Sequence, residues 1–356
     1  CTAGSGLIQR LKPVRHRFFA AKLPVEGAFC NTILKRGLAV MVKIDLITGF
    51  LGSGKTTFIK KYAQYLMSQG FHIGILENDY GAVNVDMMLL QDLMGEQCEL
   101  EMISGGCDKE THIRRFRTKL ISMGMCGYDR VIVEPSGIFD VDEFFDVLHE
   151  EPLDNWYEIG NVIAVVDAEL ENELSAEADY LLASEAANAG KILLSHADEA
   201  DGAQIEQTIA HLNRAMAQIG CKRRFDTEIV KKGTIQLTDS DLESFSLCGY
   251  VYENYQKMDL LEQNVFQSLY FMNSTMSEET LKAAVKKLFA DENCGNIFRI
   301  KGFLKADNDK WLELNATHSK ITLQPIAEGQ DVLIVIGERL NKEAVESYIQ
   351  SDSFRM

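Results

Sequence analysis

The chain has 356 residues, 46% of them hydrophobic, with 36 Lys and Arg against 53 Asp and Glu, a formal charge of −17. That is enough apolar sequence for two ordinary cores, and no run approaches the roughly 18 consecutive apolar residues of a membrane span; a soluble two-domain protein without a membrane partner is expected. The acid excess argues against a nucleic-acid partner, which needs clustered Lys and Arg, and eight dispersed cysteines without a CxxC pair read as reduced thiols in a cytoplasm.

Residues 1–40 differ from the rest. They carry seven basic residues (Arg10, Lys12, Arg15, Arg17, Lys22, Lys35 and Arg36) against Glu26 alone, which leaves 29 basic and 52 acidic residues, a formal −23, beyond them. The segment lacks the apolar h-region of a secretory signal and has the basic, acid-poor character of a transit peptide. The preferred expectation is that Met41, just before the first strand, is the natural start, and that residues 1–40 are a basic extension outside the fold.

The strand-like run Ile44-Asp45-Leu46-Ile47-Thr48 leads into Gly49-Phe50-Leu51-Gly52-Ser53-Gly54-Lys55-Thr56, a complete phosphate-binding P-loop. Glycines let successive backbone N–H groups turn toward the α- and β-phosphates, Lys55 reaches the β- and γ-phosphates, and the Thr56 hydroxyl ligates Mg²⁺. A helix from Lys55 to about Gln69 should direct its positive end at the same anion. The candidate nucleotide contacts here are Gly49, Gly52, Ser53, Gly54, Lys55, Thr56 and Thr57.

Further strand-like runs follow, separated by helical stretches, at His72–Glu77, Arg130–Glu134, Val162–Asp167 and Lys191–Ser195. Short continuous apolar strands alternating with helices predict an α/β domain, a doubly wound and mostly parallel sheet of the P-loop NTPase type. Its ligand belongs at the carboxyl ends of the strands, where Glu77, Glu134 and Ser195 to Asp198 fall. The strand ending in Glu134 continues as Pro135-Ser136-Gly137. An acid there holds Mg²⁺ and the glycine N–H can approach the γ-phosphate, a sensor of triphosphate against diphosphate.

Residues 202–219 show helical periodicity, with Ile205, Ile209, Leu212 and Met216 as an apolar stripe. Cys221-Lys222-Arg223-Arg224 is a small basic cluster expected to be solvated. The acidic, weakly patterned stretch Asp239 to Asp259 is the linker candidate, which places the nucleotide domain at 41–240, the linker at 241–262 and a second domain at 263–350. In that domain strands over Val265–Met272 and Ile297–Leu304 flank a helix near Glu278–Phe289. Strands at Trp311–Leu314, Lys320–Leu323 and Asp331–Ile336 and a helix at Lys342–Ile349 follow. That order predicts a smaller α+β domain with helices on one face of an antiparallel sheet.

The P-loop through Thr57, then Glu77-Asn78-Asp79-Tyr80-Gly81 with Val85-Asp86, then Ile103-Ser104-Gly105-Gly106-Cys107, then Glu134-Pro135-Ser136-Gly137 resemble, in that order, the CobW family of GTPases. Phe298-Arg299-Ile300-Lys301-Gly302-Phe303 and Val332-Leu333-Ile334-Val335-Ile336-Gly337 resemble the family's small second domain, so the likeness covers most of residues 41–350. The resemblance implies a Mg²⁺-dependent GTPase that delivers metal ions to client proteins or assists assembly of metal- or corrinoid-containing cofactors. Lys55, Thr56 and Glu134 would be its catalytic residues, with Thr56 and Glu134 on Mg²⁺, and no residue stands out as positioning the attacking water.

Two departures qualify it. The family's Gly-Cys-x-Cys-Cys metal motif is Gly106-Cys107-Asp108-Lys109-Glu110 here, and a second glutamate of the loop after Glu77 is Ala82. Cys107 and Glu77 remain as candidate ligands for a transition metal such as Zn²⁺ or Co²⁺, with Glu110 and His112 as conceivable additions, but one thiolate is few for a soft metal. The guanine-reading Asn/Thr-Lys-x-Asp is Ser195-His196-Ala197-Asp198. Asp198 is placed to accept from guanine N1 and N2, and the His196 imidazole can stack where a lysine stem would pack; Asp198 could equally be a helix N-cap. Two readings stay open: a slowly hydrolysing GTP switch of the metallochaperone type acting on a metalloprotein or cofactor-assembly client, and a nucleotide-dependent assembly or regulatory protein that moves no metal.

Overall fold

The structure is a computed structural model and describes residues 41–78, 85–103, 109–135, 141–258, 265–272, 276–305, 310–327 and 329–349. The expected basic extension lies outside them.

The nucleotide domain runs β1 (Val42–Thr48), α1 (Lys55–Ser68), β2 (Ile73–Asn78), α2 (Val85–Leu90), β3 (Cys98–Ile103), α3 (Lys109–Gly124), β4 (Arg130–Pro135), α4 (Val141–Leu148), β5 (Tyr157–Asp167), α5 (Ala176–Ala187), β6 (Lys191–Ser195), α6 (Gly202–Gln218), β7 (Ile229–Val230) and α7 (Asp239–Ser246). The seven strands form one sheet in the order β3-β2-β4-β1-β5-β6-β7, and every recorded pairing is parallel. β2 and β4 are buried along their whole length, because helices cover both faces of a parallel sheet. α1 buries Phe58, Ile59, Tyr62, Ala63 and Leu66 against one face, a stripe at helical spacing.

At the amino ends of the strands one carboxylate ties three elements together. Buried Asp45 accepts from Arg130 at 2.6 Å and from the Tyr62 hydroxyl at 2.8 Å on one oxygen. Its other oxygen accepts from the backbone and side-chain N–H of Asn161, both at 2.9 Å. A buried charge is tolerated when paired and hydrogen-bonded in this way.

Three expectations change. β3 was not foreseen: it is an edge strand whose Glu99 is exposed and Glu101 half-buried, so it lacks the apolar run that marked its neighbours. The stretch from Asp239 is not a linker at its start. Thr238 and Asp241 form a capping box for α7, whose Leu242 and Phe245 are buried, and Phe245 meets Phe58 of α1 edge-on at 5.1 Å. Two buried apolar residues three apart, among acids and serines, are too weak a period to read as a helix. Arg223 is not simply solvated, since it donates to the carbonyls of Ala187 and Ala189 at 2.8 and 2.7 Å, satisfying the end of α5.

The second domain comprises β8 (Phe266–Met272), α8 (Glu278–Ala290), β9 (Asn296–Lys305), β10 (Trp311–Ala316), β11 (Ile321–Ile326), β12 (Val332–Glu338) and α9 (Lys342–Ile349). It is the expected α+β unit, an antiparallel sheet in the order β11-β10-β9-β12-β8. Leu281, Val285 and Leu288 of α8 and Val345 and Ile349 of α9 pack with Ile300, Leu314 and Val335 of the sheet. Phe303, Val332, Ile334 and Ile336 pack instead against Leu51 of the P-loop and Met88 and Leu89 of α2, and Phe50 meets Phe298 edge-on at 5.4 Å. Phe50 and Leu51 of the P-loop are therefore interface residues.

Candidate functional site

The P-loop joins β1 to α1 through backbone conformations that side chains rarely adopt. Gly49 has φ 145°, and a Cβ there would lie 2.2 Å from the Val165 carbonyl oxygen; Gly54, the N-cap of α1, has φ 87°. Only glycine fits either place. Lys55 is buried and donates to the Gly49 carbonyl at 2.8 Å, so its ammonium is held beneath the loop. The Ser53 hydroxyl is buried with no hydrogen-bond partner among the described residues.

Thr56 donates to Glu134 Oε1 at 3.0 Å, which joins the first turn of α1 to the end of β4. Glu77 stands beside Glu134 in register across β2 and β4, and both are buried. Burial, and then the charge of Asp86, push the Glu134 carboxyl up, against the opposing charge of Lys55. Its second oxygen is buried with no donor among the described residues. A hydroxyl and a carboxylate with an unsatisfied oxygen form a hard, oxygen-only donor set, which fits Mg²⁺. Asp86, in the first turn of α2, forms an ion pair with Lys301 of β9. Burial alone would raise its carboxyl, but Lys301 and then Arg299 hold it below the ordinary carboxylate range.

A cavity of about 420 Å³ opens along the loop, lined by Gly52, Gly54, Thr56 and Thr57 on one side and by His196 and Asp198 on another. The P-loop and the Ser195–Asp198 turn are thus brought to one space, as expected at the carboxyl ends of the strands. His196 has φ 54°, and its Nδ1 lies 3.1 Å from Asp167. That hydrogen bond raises the imidazole pKa above its ordinary value despite partial burial. Asp198 is not the N-cap of the next helix: Asp201 caps α6, accepting from the Gln204 N–H, so the Asp198 carboxylate has no capping duty. It lies so close to Gly233 that a Cβ there would meet Asp198 Oδ1 at 1.9 Å.

Gly137 and Cys107 lie outside the described residues, as does Ala82. The conceivable additions to a transition-metal site do not share an environment. Glu110 is exposed, whereas His112 is buried, and burial and then Arg115 push the His112 imidazole down to about 4, leaving it neutral. Among the described residues no group of three or more His, Cys, Asp or Glu is placed to hold a metal ion.

Several neighbours of the site carried no sequence signal. Glu185 of α5 is 2% exposed beneath the P-loop, and burial, opposed by Lys55 and the Gly49 backbone, pushes its carboxyl up to about 8. Asp167, Gly233, Arg299 and Lys301 reach the site only through the fold. The alternation of Arg299 and Lys301 along β9 could have shown that they share one face, but not what that face meets.

Residues 43–224 match the CobW/HypB/UreG nucleotide-binding domain, and residues 267–351 match the cobalamin synthesis protein cobW C-terminal domain. The zinc chaperone YjiA of Escherichia coli (strain K12) is 28% identical over 184 residues, 48% of this chain and 55% of that protein. The zinc chaperone YeiR of the same organism is 30% identical over 131 residues, 36% of this chain and 39% of that protein. The matched segment therefore spans about half or less of these relatives' length. The crystal structure of Zn(II)-bound YjiA GTPase from E. coli aligns over 88% of this chain and 99% of that one, at 20% identity and a TM-score of 0.33. No described helix is long and apolar enough to cross a membrane. With one domain match covering the P-loop sheet and a second covering the antiparallel sheet behind it, the chain belongs to the CobW/HypB/UreG nucleotide-binding family and carries its CobW C-terminal domain.

Proposed function

We propose that this chain is a GTP-binding, slowly hydrolysing switch of the metallochaperone type, which hands a metal ion or metallocofactor, such as a corrinoid, to a client protein in the cytoplasm. The observation that carries the reading is the Thr56–Glu134 contact at the foot of a P-loop that shares its cavity with Asp198. Similarity to proteins named zinc chaperones supports the cargo class.

The P-loop amides and Lys55 bind the phosphates and offset the negative charge that spreads over the transferring phosphoryl group. Asp198 accepts from guanine N1–H and N2–H, and His196, braced by Asp167, faces the base or ribose. Thr56 and Glu134 are the residues that would hold Mg²⁺, and the ion would supply positive charge against the negative charge developing on the phosphates. Glu77 and Asp86 close the acidic side of the site beside Glu134. A γ-phosphate sensed beside Glu134 would reach the second domain through α2, by way of Asp86 and Lys301.

A second reading, an assembly switch that carries no transition metal, is favoured by one observation: the run after Gly106 keeps only Cys107 of the family's three cysteines. Titration of the full chain with Zn²⁺, Co²⁺ and Ni²⁺ against a competing chelator, in GTP–Mg²⁺ and in GDP–Mg²⁺, with Cys107→Ala as control, separates the two. Tight, nucleotide-sensitive binding that depends on Cys107 establishes the metallochaperone reading; no tight binding in either nucleotide state sinks it in favour of the assembly switch.

A further inference from the structure

We propose that Arg299, from the C-terminal domain, is a phosphate-contacting catalytic cation supplied within the same chain to the nucleotide held by the P-loop. The inference rests on the triphosphate reading of that loop and adds the second domain to its catalytic machinery.

Three observations place the residue. A Cβ built on Gly52, in the middle of the P-loop and lining the cavity, would come within 3.4 Å of the Arg299 Cδ, so the arginine stem lies directly on the loop. Nε of Arg299 donates to Asn315 Oδ1 at 2.9 Å, and Asn315 also lines the cavity. Lys301, two residues along the same face of β9, spends its charge on Asp86. The interface is thus registered by one cation while the other is left beside the phosphate loop.

Charge accounting then assigns the ligand. Arg299 is half-buried, and among the described residues no carboxylate lies within ion-pair distance of it. Asp86, which feels it, already has Lys301. Glu313, which also feels it, has its carboxyl pushed up by burial and holds its negative charge less readily. A guanidinium presents five N–H donors in a rigid fork that matches phosphate geometry, and a partly desolvated cation without a counter-ion is favoured when an anion arrives. The need is real in a chain of net charge −17: Glu77, Asp86 and Glu134 crowd the same site, and of the lysines there Lys60 and Lys320, which line the cavity, are paired with Asp92 and Glu199, which leaves Lys55 beneath the loop. An arginine that meets charge developing on the transferring phosphoryl group accelerates hydrolysis by about 10³–10⁵.

The test is single-turnover GTP hydrolysis by the full chain, with Arg299→Gln and Arg299→Lys, alongside fluorescent GDP binding, formation of the GDP–aluminium fluoride complex and thermal unfolding. Gln keeps a stem over Gly52 and a donor for Asn315 but removes the charge; Lys keeps the charge and loses the fork. The expected result is a fall in hydrolysis of about 10²-fold or more for Arg299→Gln and a smaller fall for Arg299→Lys. GDP affinity and unfolding temperature should hold, and the aluminium fluoride complex should be lost in Arg299→Gln. Asn315→Ala, which frees the guanidinium without removing it, should retain most of the rate. Wild-type rates in Arg299→Gln overturn the proposal while leaving the nucleotide site intact. So do parallel losses of rate, GDP affinity and thermal stability shared by Arg299→Gln and Asn315→Ala, which mark a structural brace. A wild-type chain that binds no GTP overturns the underlying reading and the proposal with it.

Discussion

Asp86 and Lys301 are 215 residues apart in the chain and form an ion pair in the structure. Their side chains are only 15% and 10% exposed. The pair joins the helix that follows β2, beside the P-loop, to the central strand of the second domain's sheet, so the acidic side of the nucleotide site is tied directly to the C-terminal domain.

Removing one partner of a largely desolvated pair leaves the other uncompensated, at a cost of about 3 kcal/mol. Lys301→Ala should therefore lower stability by about that amount in urea unfolding, and the Asp86→Asn, Lys301→Ala double variant by less than the sum of its singles. A coupling energy of about 1–3 kcal/mol is expected; strict additivity would show that the pair contributes nothing.

Glu134→Gln keeps the hydrogen bond available to Thr56 and removes the negative charge. Hydrolysis should fall about a hundredfold or more, and nucleotide affinity in Mg²⁺ should fall toward the value the native protein shows in EDTA. The check is GTP turnover and nucleotide binding across a Mg²⁺ series; unaltered Mg²⁺ dependence would remove Glu134 from the metal.

Asp198→Asn replaces an acceptor for two guanine donors by a group that can accept only one. The preference for GTP over ATP should shrink by about tenfold to a hundredfold, the worth of one charged hydrogen bond. Gly233→Ala should act in the same direction without touching the base, because its new methyl would displace the Asp198 carboxylate that lies 1.9 Å from the built Cβ. Competition binding of the two nucleotides reads both.

Glu185 makes the stability of the domain depend on pH. Its folded-state value of about 8 lies above the unfolded carboxyl's ordinary 4.5. Between these values the native state holds a proton that the unfolded chain has lost. Its contribution is complete below about pH 4.5 and disappears as pH rises toward 8, at most about 1.4 kcal/mol for each pH unit crossed. Glu185→Gln should flatten the decline in thermal unfolding temperature between pH 5 and pH 8, and should be more stable than the native protein at pH 8. An unchanged slope would place the titration elsewhere.

The sequence by itself determined what rests on short-range rules. Gly49, Gly52 and Gly54 are required by backbone conformations that few other residues can adopt, and the apolar runs at β1, β2, β4, β5 and β6 follow from a parallel sheet covered on both faces. The placement of Glu77 and Glu134 at the carboxyl ends of strands followed from the same pattern, as did the α+β character of the second domain, whereas the sheet order that sets β2 beside β4 did not. β3 and α7 were less legible because charged and small residues fill their open faces. Only the tertiary structure decided that Phe50 and Leu51 pack on the second domain, that Asp86 finds Lys301, that Arg299 lies over Gly52, and that Glu185 and Gly233 press on the site from beneath and beside it. Periodicity and glycine spacing are properties of neighbouring residues, whereas a counter-ion, a steric limit or a desolvated carboxyl exists only once residues far apart in the chain share the same few ångströms.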